Sequence, residues 1–159
     1  PLGPEDLGDP LFKETYGLRY AYVAGAMANG ITSVKMVEEA GRAGMIGFFG
    51  AAGLSLNDVE AAIVSLQDCM KSNAFGFNLI HSPNDPDLES ALVDLYLRRG
   101  VQRISASAYM DLTLPLVYFR VKGIHSDPNG RVICPTNSLQ RSQELKWLGN
   151  SFPRRRRSC

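Results

Sequence analysis

Between Tyr20 and Gly53 the chain reads YAYVAGAMANGITSVKMVEEAGRAGMIGFFGAAG, two short apolar runs that each end in small residues, with one amphipathic segment between them. This order constrains the fold more than any other stretch. It is the pattern of a βαβ unit whose strands end in backbone that a ligand can approach closely. Tyr20 to Ala24 is apolar enough for a strand covered on both faces, and Gly25, Ala26, Ala28 and Gly30 leave almost no side chain at its carboxyl end. A flat ring could lie against such backbone; equally, small residues allow a tight strand-to-helix turn with no ligand involved. The glycine spacing does not match GxGxxG, so a dinucleotide fingerprint is not supported.

The same pattern recurs. Thr32 or Ser33 can cap a helix carrying Val34, Val37 and Ala40, with Gly44 as its left-handed terminator, and Met45 to Phe49 follows as a second strand. Ser55 and Asp58 have capping-box spacing ahead of Leu56, Val59, Ile63, Leu66 and Met70, an apolar stripe at helical period. Ala74 to Ile80 reads as a third strand. Asp85-Pro86 then supplies a cap and a first-turn proline for a helix with Leu88, Ala91, Leu92 and Leu95, closed by Gly100. Val101 to Ala106 is a fourth strand, and Thr113 caps a helix to about Val121 with Pro115 in its first turn. Strands alternating with helices, without hairpins between them, imply a parallel sheet. The fold class expected is α/β with four parallel βα units.

Four motifs occur in order: YAYVAGAMANGI, GRAGMIGFFGAAGL, FGFNLIHSPNDPDLE and SASAYMDLTLPLVYFRVKG. Over Leu11 to Pro135 the chain thereby resembles the flavin-dependent enoyl reductases of bacterial polyunsaturated fatty acid synthases, in the nitronate monooxygenase superfamily. The resemblance implies a (β/α)8 TIM barrel binding FMN at the carboxyl ends of its strands. It also implies NADPH or NADH as reductant and an enoyl thioester on an acyl carrier protein domain of a fatty acid or polyketide synthase as substrate. A complete barrel takes about 250 residues, and this chain has 159. The expectation is therefore the amino-terminal half of a barrel over 20–135, with 1–19 as a lead-in.

Within that lead-in, Leu11, Phe12, Tyr16 and Leu18 are expected to plug the bottom of the barrel. A fifth strand is expected to start at Ile133-Cys134-Pro135 after an exposed turn, HSDPNG. Beyond it, 136–159 reads as a non-native or disordered tail, a frameshift or misjoined piece, since Arg154 to Arg157 and Cys159 continue nothing in the fold. The absent initiator methionine points to an incomplete beginning.

The resemblance also nominates site residues. Gly25, Ala26 and Met27 occupy the place of the superfamily's Pro-Met-Ala or Pro-Met-Gly run, whose backbone lies near the flavin ring; as a lone residue Met27 reads as core filler. Asn78 matches the superfamily's GxNL, and its amide can both donate to and accept from ring polar atoms. His81 lies just past that strand end, where it can donate a proton or serve as an ordinary turn residue. Ser105 and Ser107 alternate toward the same rim as candidate pocket residues, while Asp111 reads as help for the helix start at Thr113. The loops after strands seven and eight, which usually hold the phosphate in barrels, have no counterpart here.

Composition excludes other classes. The chain is 45% hydrophobic and 21% charged with a net charge of +1, which is globular and argues against a specific nucleic-acid binder. No apolar run approaches a membrane span and no signal peptide opens the sequence, so a cytoplasmic place without membrane contact is expected. Cys69, Cys134 and Cys159 form no zinc spacing, and no metal is expected. A half barrel leaves strands one and four as unpaired edges, so self-association is expected, with elution larger than a monomer in size-exclusion chromatography. Two other readings stand beside the reductase: a nitronate monooxygenase, and a noncatalytic interaction or scaffold fragment whose arginine run contacts acidic surfaces or RNA.

Overall fold

The computed structural model describes residues 2–70 and 74–140. A single turn of 3-10 helix, Pro4–Asp6, precedes the main elements. In chain order these are α1 (Pro10–Tyr16), β1 (Val23–Ala24), α2 (Val34–Arg42), β2 (Ile46–Phe49), α3 (Leu56–Met70), β3 (Phe75–Ile80), α4 (Pro86–Arg98), β4 (Arg103–Ser107) and α5 (Leu114–Val121). A short hairpin, β5 (His125–Ser126) with β6 (Val132–Ile133), leads into β7 (Asn137–Gln140). Strands β1, β2, β3, β4 and β7 form one parallel sheet in that spatial order. Each strand is added beside the one before it, so the sheet has no reversal of strand order. That is the arc of a barrel; a doubly wound sheet would turn back on itself.

Helix starts follow the capping chemistry of the sequence. Ser33 accepts from the N–H of Met36 at 3.3 Å, Ser55 from Asp58 at 3.2 Å and Asp85 from Leu88 at 3.0 Å, each satisfying a first-turn donor. Thr32 is not a cap. Gly44 at φ +81° and Gly100 at φ +69° end their helices in the left-handed conformation.

Alternation along the strands sorts the side chains onto two faces. Phe49, Phe77, Leu79, Ile104 and Ala106 point outward into the main core, against Val59, Ile63 and Leu66 of α3, Leu92 and Tyr96 of α4, and Leu116 and Phe119 of α5. Ile46 and Phe48 point inward into a smaller cluster with Ala26, Leu139 and the lead-in residues Phe12, Tyr16 and Leu18. Phe12, Tyr16 and Leu18 therefore do close the inward bottom of the arc. Leu11 does not, since its side chain is exposed. Arg103 also faces inward, its guanidinium 5.6 Å from the centre of the Tyr16 ring.

At both ends of the sheet the strands depart from the sequence reading. The first strand keeps only Val23–Ala24 of the expected Tyr20 to Ala24, because Arg19 and Tyr20 donate to the Gly44 carbonyl at the end of the α2 turn and not to a ladder. The fifth parallel strand is Asn137–Gln140, not Ile133-Cys134-Pro135, where Val132–Ile133 is spent on the hairpin and Pro135 has no N–H to offer. Its entry is clamped by α5: the Thr136 hydroxyl donates to the Phe119 carbonyl at 2.8 Å, and Arg120 donates to the Thr136 carbonyl at 2.6 Å. The segment 137–140 thus belongs to the sheet, and the edges are β1 and β7 with β4 covered. The rest of the expected tail, with Arg154 to Arg157 and Cys159, lies outside the described residues.

Candidate functional site

All five strands run the same way, so their carboxyl ends share one rim, and the loops leaving that rim are cross-tied. The turn after β1 is organised by Thr32, whose hydroxyl accepts from the Met27 N–H at 2.8 Å and donates to the Gly25 carbonyl at 2.9 Å. This turn is stapled to the loop after β2: Gly50 N–H donates to Thr32, Gly30 N–H to Gly50, and Asn29 N–H to Ala52. The contact is so close that a Cβ on Gly50 would sit 1.7 Å from the Met27 carbonyl oxygen. Gly25 and Met27 thus spend backbone groups inside the turn, and Ala26 packs against the inward cluster. What this turn offers a ligand is a smooth wall, with the exposed Met27 side chain at its edge.

Asn78, Ser105 and Ser107 all lie on the inward face. Asn78 pairs with Ser105 across β3 and β4, and both are buried. The Ser107 hydroxyl donates to Asn78 Oδ1 at 3.0 Å, and the buried Tyr96 hydroxyl donates to the Asn78 backbone carbonyl at 2.7 Å. The amide nitrogen of Asn78 makes no hydrogen bond among the described residues, which leaves it as a donor toward the inward space. The three side chains nominated on these strands are thus brought together.

His81 lies elsewhere. It follows Ile80 past the end of β3, on the helix side by alternation, and its own N–H donates to the Ser107 carbonyl at 3.0 Å. Its ring meets a buried carboxylate that the sequence reading did not single out, Glu89 of α4. Glu89 Oε2 is 3.0 Å from His81 Nδ1 and accepts from the Ser82 N–H at 3.3 Å, while Oε1 accepts from the hydroxyls of Tyr109 and Thr113, each at 2.8 Å. One carboxylate therefore ties the loop after β3 to the loop after β4. Thr113, expected as a cap, spends its hydroxyl here and makes no side-chain cap bond; Asp111 is exposed beside it. Glu89 could have been suspected from its company: a histidine eight residues before it, and a tyrosine and a threonine in the next loop, are donors without apolar roles.

Burial by itself pushes the Glu89 carboxyl upward. Hydrogen bonds from His81, Thr113, Tyr109 and the Ser82 N–H more than offset this and hold it below the ordinary carboxylate range. The Tyr109 hydroxyl is driven up, by burial first and by its bond to Glu89 second. A carboxyl depressed in the folded state contributes stability above its unfolded value of about 4.3 and loses it as pH falls through the folded value. Urea-unfolding midpoints are expected to drop more steeply between about pH 5 and pH 3 in the parent chain than in Glu89→Gln, which has nothing to titrate there. Equal slopes would show that the carboxylate is not held as described.

Two grooves of about 490 and 310 Å³ lie between α4 and α5 on the outer layer, lined in part by Asp94 and Tyr118. Neither is lined by Asn78, Ser105, Ser107 or His81. A flavin fits the rim in kind: a smooth backbone wall on one side and, beside it, a buried amide with a spare donor among inward hydroxyls, where an ordinary core would be apolar. No helix among the described residues is long and apolar enough to cross a membrane.

No protein-family model matches the sequence. Among characterised proteins the chain is similar to the polyketide biosynthesis protein PksE of Bacillus subtilis, 47% identical over 131 residues, covering 82% of this chain and 17% of that protein. It is similar to the polyketide biosynthesis protein ThaF of Burkholderia thailandensis, 43% identical over 130 residues, covering 81% and 11%. It is also similar to a polyunsaturated fatty acid synthase polypeptide of a Thraustochytrium species, 42% identical over 127 residues, covering 80% and 8%. Among solved structures it is similar to the enoyl reductase domain of MlnA from the macrolactin biosynthesis cluster of Bacillus amyloliquefaciens, with a TM-score of 0.80 and 42% identity over 86% of this chain and 31% of that one. The resemblance to the enoyl reductases of polyunsaturated fatty acid synthases is upheld, and the parallel arc corresponds to part of an enoyl reductase barrel. None of these relatives carries the nitronate monooxygenase name. The chain spans less than a fifth of each curated relative and about a third of the solved domain.

Proposed function

We propose that this chain is part of an FMN-dependent enoyl reductase that acts in trans on enoyl thioesters carried by acyl carrier protein domains, in polyketide or polyunsaturated fatty acid synthesis. The observation that carries the reading is the shared fold and sequence with an enoyl reductase domain across most of this chain. The names of the curated relatives, all synthase or polyketide biosynthesis proteins, point the same way and favour a cytoplasmic setting.

FMN, when bound, supplies hydride transfer from a reduced nicotinamide to the β-carbon of the enoyl thioester. This chain's own part is to bind and orient. The turn Gly25-Ala26-Met27, locked by Thr32 and Gly50, gives a wall against which a planar ring stacks without side-chain interference. Asn78, its oxygen occupied by Ser107, presents the amide nitrogen to a ring acceptor, and Ser105 lies beside it on the inward face. Phosphate anchoring belongs to loops after later strands of a full barrel.

The test is flavin titration and turnover of the intact protein that contains this chain. FMN is expected to bind, and NADPH oxidation is expected to depend on an acyl-carrier-bound enoyl thioester and to yield the saturated thioester. Oxidation of alkyl nitronates without enoyl reduction would support the monooxygenase reading, and absence of flavin binding the scaffold reading. Asn78→Ala is expected to weaken FMN binding about tenfold, one hydrogen bond's worth, which the same fluorescence titration reads.

A further inference from the structure

We propose that Glu89 is a positioning residue for this site: its buried carboxylate, facing His81 Nδ1 at 3.0 Å, fixes the imidazole with the proton on Nδ1 and leaves Nε2 as the nitrogen that meets a ligand at the rim. A carboxylate only accepts. Both oxygens of Glu89 already receive donors, Oε1 from Tyr109 and Thr113 and Oε2 from the Ser82 N–H. Whatever faces Oε2 must therefore carry hydrogen, and Nδ1 faces it. The ring plane is held as well, 5.2 Å between centroids and 31° from the Tyr109 ring. Nε2 has no partner among the described residues and is not buried. The His81 main chain is pinned to Ser107, the residue whose hydroxyl holds Asn78, so the loop that carries the imidazole is tied to the strand end that carries the inward polar set.

The inference rests on the reductase reading for its chemical purpose. Hydride addition to the β-carbon leaves an electron pair at the α-carbon, which takes a proton. Protonated His81 supplies it from Nε2: the N–H bond breaks, its electron pair stays on nitrogen, a C–H bond forms, and solvent returns the proton. Glu89 remains a carboxylate throughout and accepts from Nδ1–H in both states of the ring.

Glu89→Leu gives the test, since a glutamine would turn its amide oxygen to the Ser82 N–H and keep an acceptor against Nδ1. Leucine removes the acceptor that faces Nδ1, and the ring returns to the ordinary Nε2–H form. The chain has two histidines, so a histidine-labelled sample with His125→Asn as the assignment control reads the His81 tautomer directly by nitrogen NMR. The parent is expected to show Nδ1–H, and Glu89→Leu to show Nε2–H. In the intact enzyme, kcat is expected to fall on the order of a hundredfold with KM little changed, as for loss of an acid in the right state. Nε2–H in the parent overturns the proposal with no variant needed; so does the same tautomer in both proteins, or an inverted tautomer with unaltered kcat. If the intact protein reduces no enoyl thioester, the functional reading fails, while the tautomer measurement still decides whether Glu89 positions His81.

Discussion

Gly50→Ala is expected to destabilise the chain by roughly 3 kcal/mol, the upper end of what overpacking costs, because the added methyl would meet backbone with no rotamer to escape into. The obstacle is the carbonyl of Met27, 1.7 Å from the new carbon, with its carbonyl carbon at 2.7 Å. Relief requires pushing the β1 turn away from the β2 loop. That breaks the Gly50 to Thr32 and Gly30 to Gly50 hydrogen bonds together and opens the wall assigned to the flavin. The loss should therefore be double, in the urea midpoint and in FMN affinity of the intact protein. Gly100→Ala is the control. It has nothing within 4 Å and suffers only its positive φ of +69°, a cost of about 1 kcal/mol with no effect on flavin. Equal midpoints for the two variants would mean that the two loops do not touch as described.

The Gly50 contact marks the limit of what sequence reading reaches. Small residues at both strand ends were legible as close-approach backbone, yet nothing in the pattern says that the partner of Gly50 is another loop. The elements around them were legible because each carries a local signal: Ser55 ahead of an apolar stripe, Asp85-Pro86 ahead of another, and short apolar runs between. Asn78 was legible through its motif, and its inward direction follows once Phe77 and Leu79 are seen to belong to the outer core. β7 was not legible. Its segment Asn137–Gln140 has one large apolar residue, Leu139, which joins the inward cluster, so no apolar run marks it as a strand. Glu89 was hidden for a different reason. An acidic residue in the first turn of a helix is ordinarily a solvated complement to the helix dipole, and only the meeting of two loops makes it buried and fully bonded.

Phe77→Ala is expected to be the most damaging single substitution in the core, costing about 3–5 kcal/mol through lost transfer energy and a cavity that rigid neighbours cannot fill. Phe77 is fully buried on the central strand β3, with ring centroids of Phe49, Phe75 and Tyr96 at 5.7, 6.1 and 5.6 Å. Against a total stability of about 5–15 kcal/mol, the loss removes a large part of what holds the fold. Calorimetry or urea unfolding reads it directly. Phe48→Ala is the informative comparison, equally buried but on the inward face, where a smaller cluster has more freedom to collapse. Its cost is expected to be smaller; a reversed ranking would place the main core inside the arc, not between sheet and helices. The outer substitution should also reach the site. Tyr96 packs on Phe77 and donates its hydroxyl to the Asn78 carbonyl, so emptying the Phe77 position frees Tyr96 to shift and loosens the residue that carries the flavin contact. FMN affinity of the intact protein should therefore fall with Phe77→Ala, measured where the fold is still populated, and stay near the parent value with Phe48→Ala.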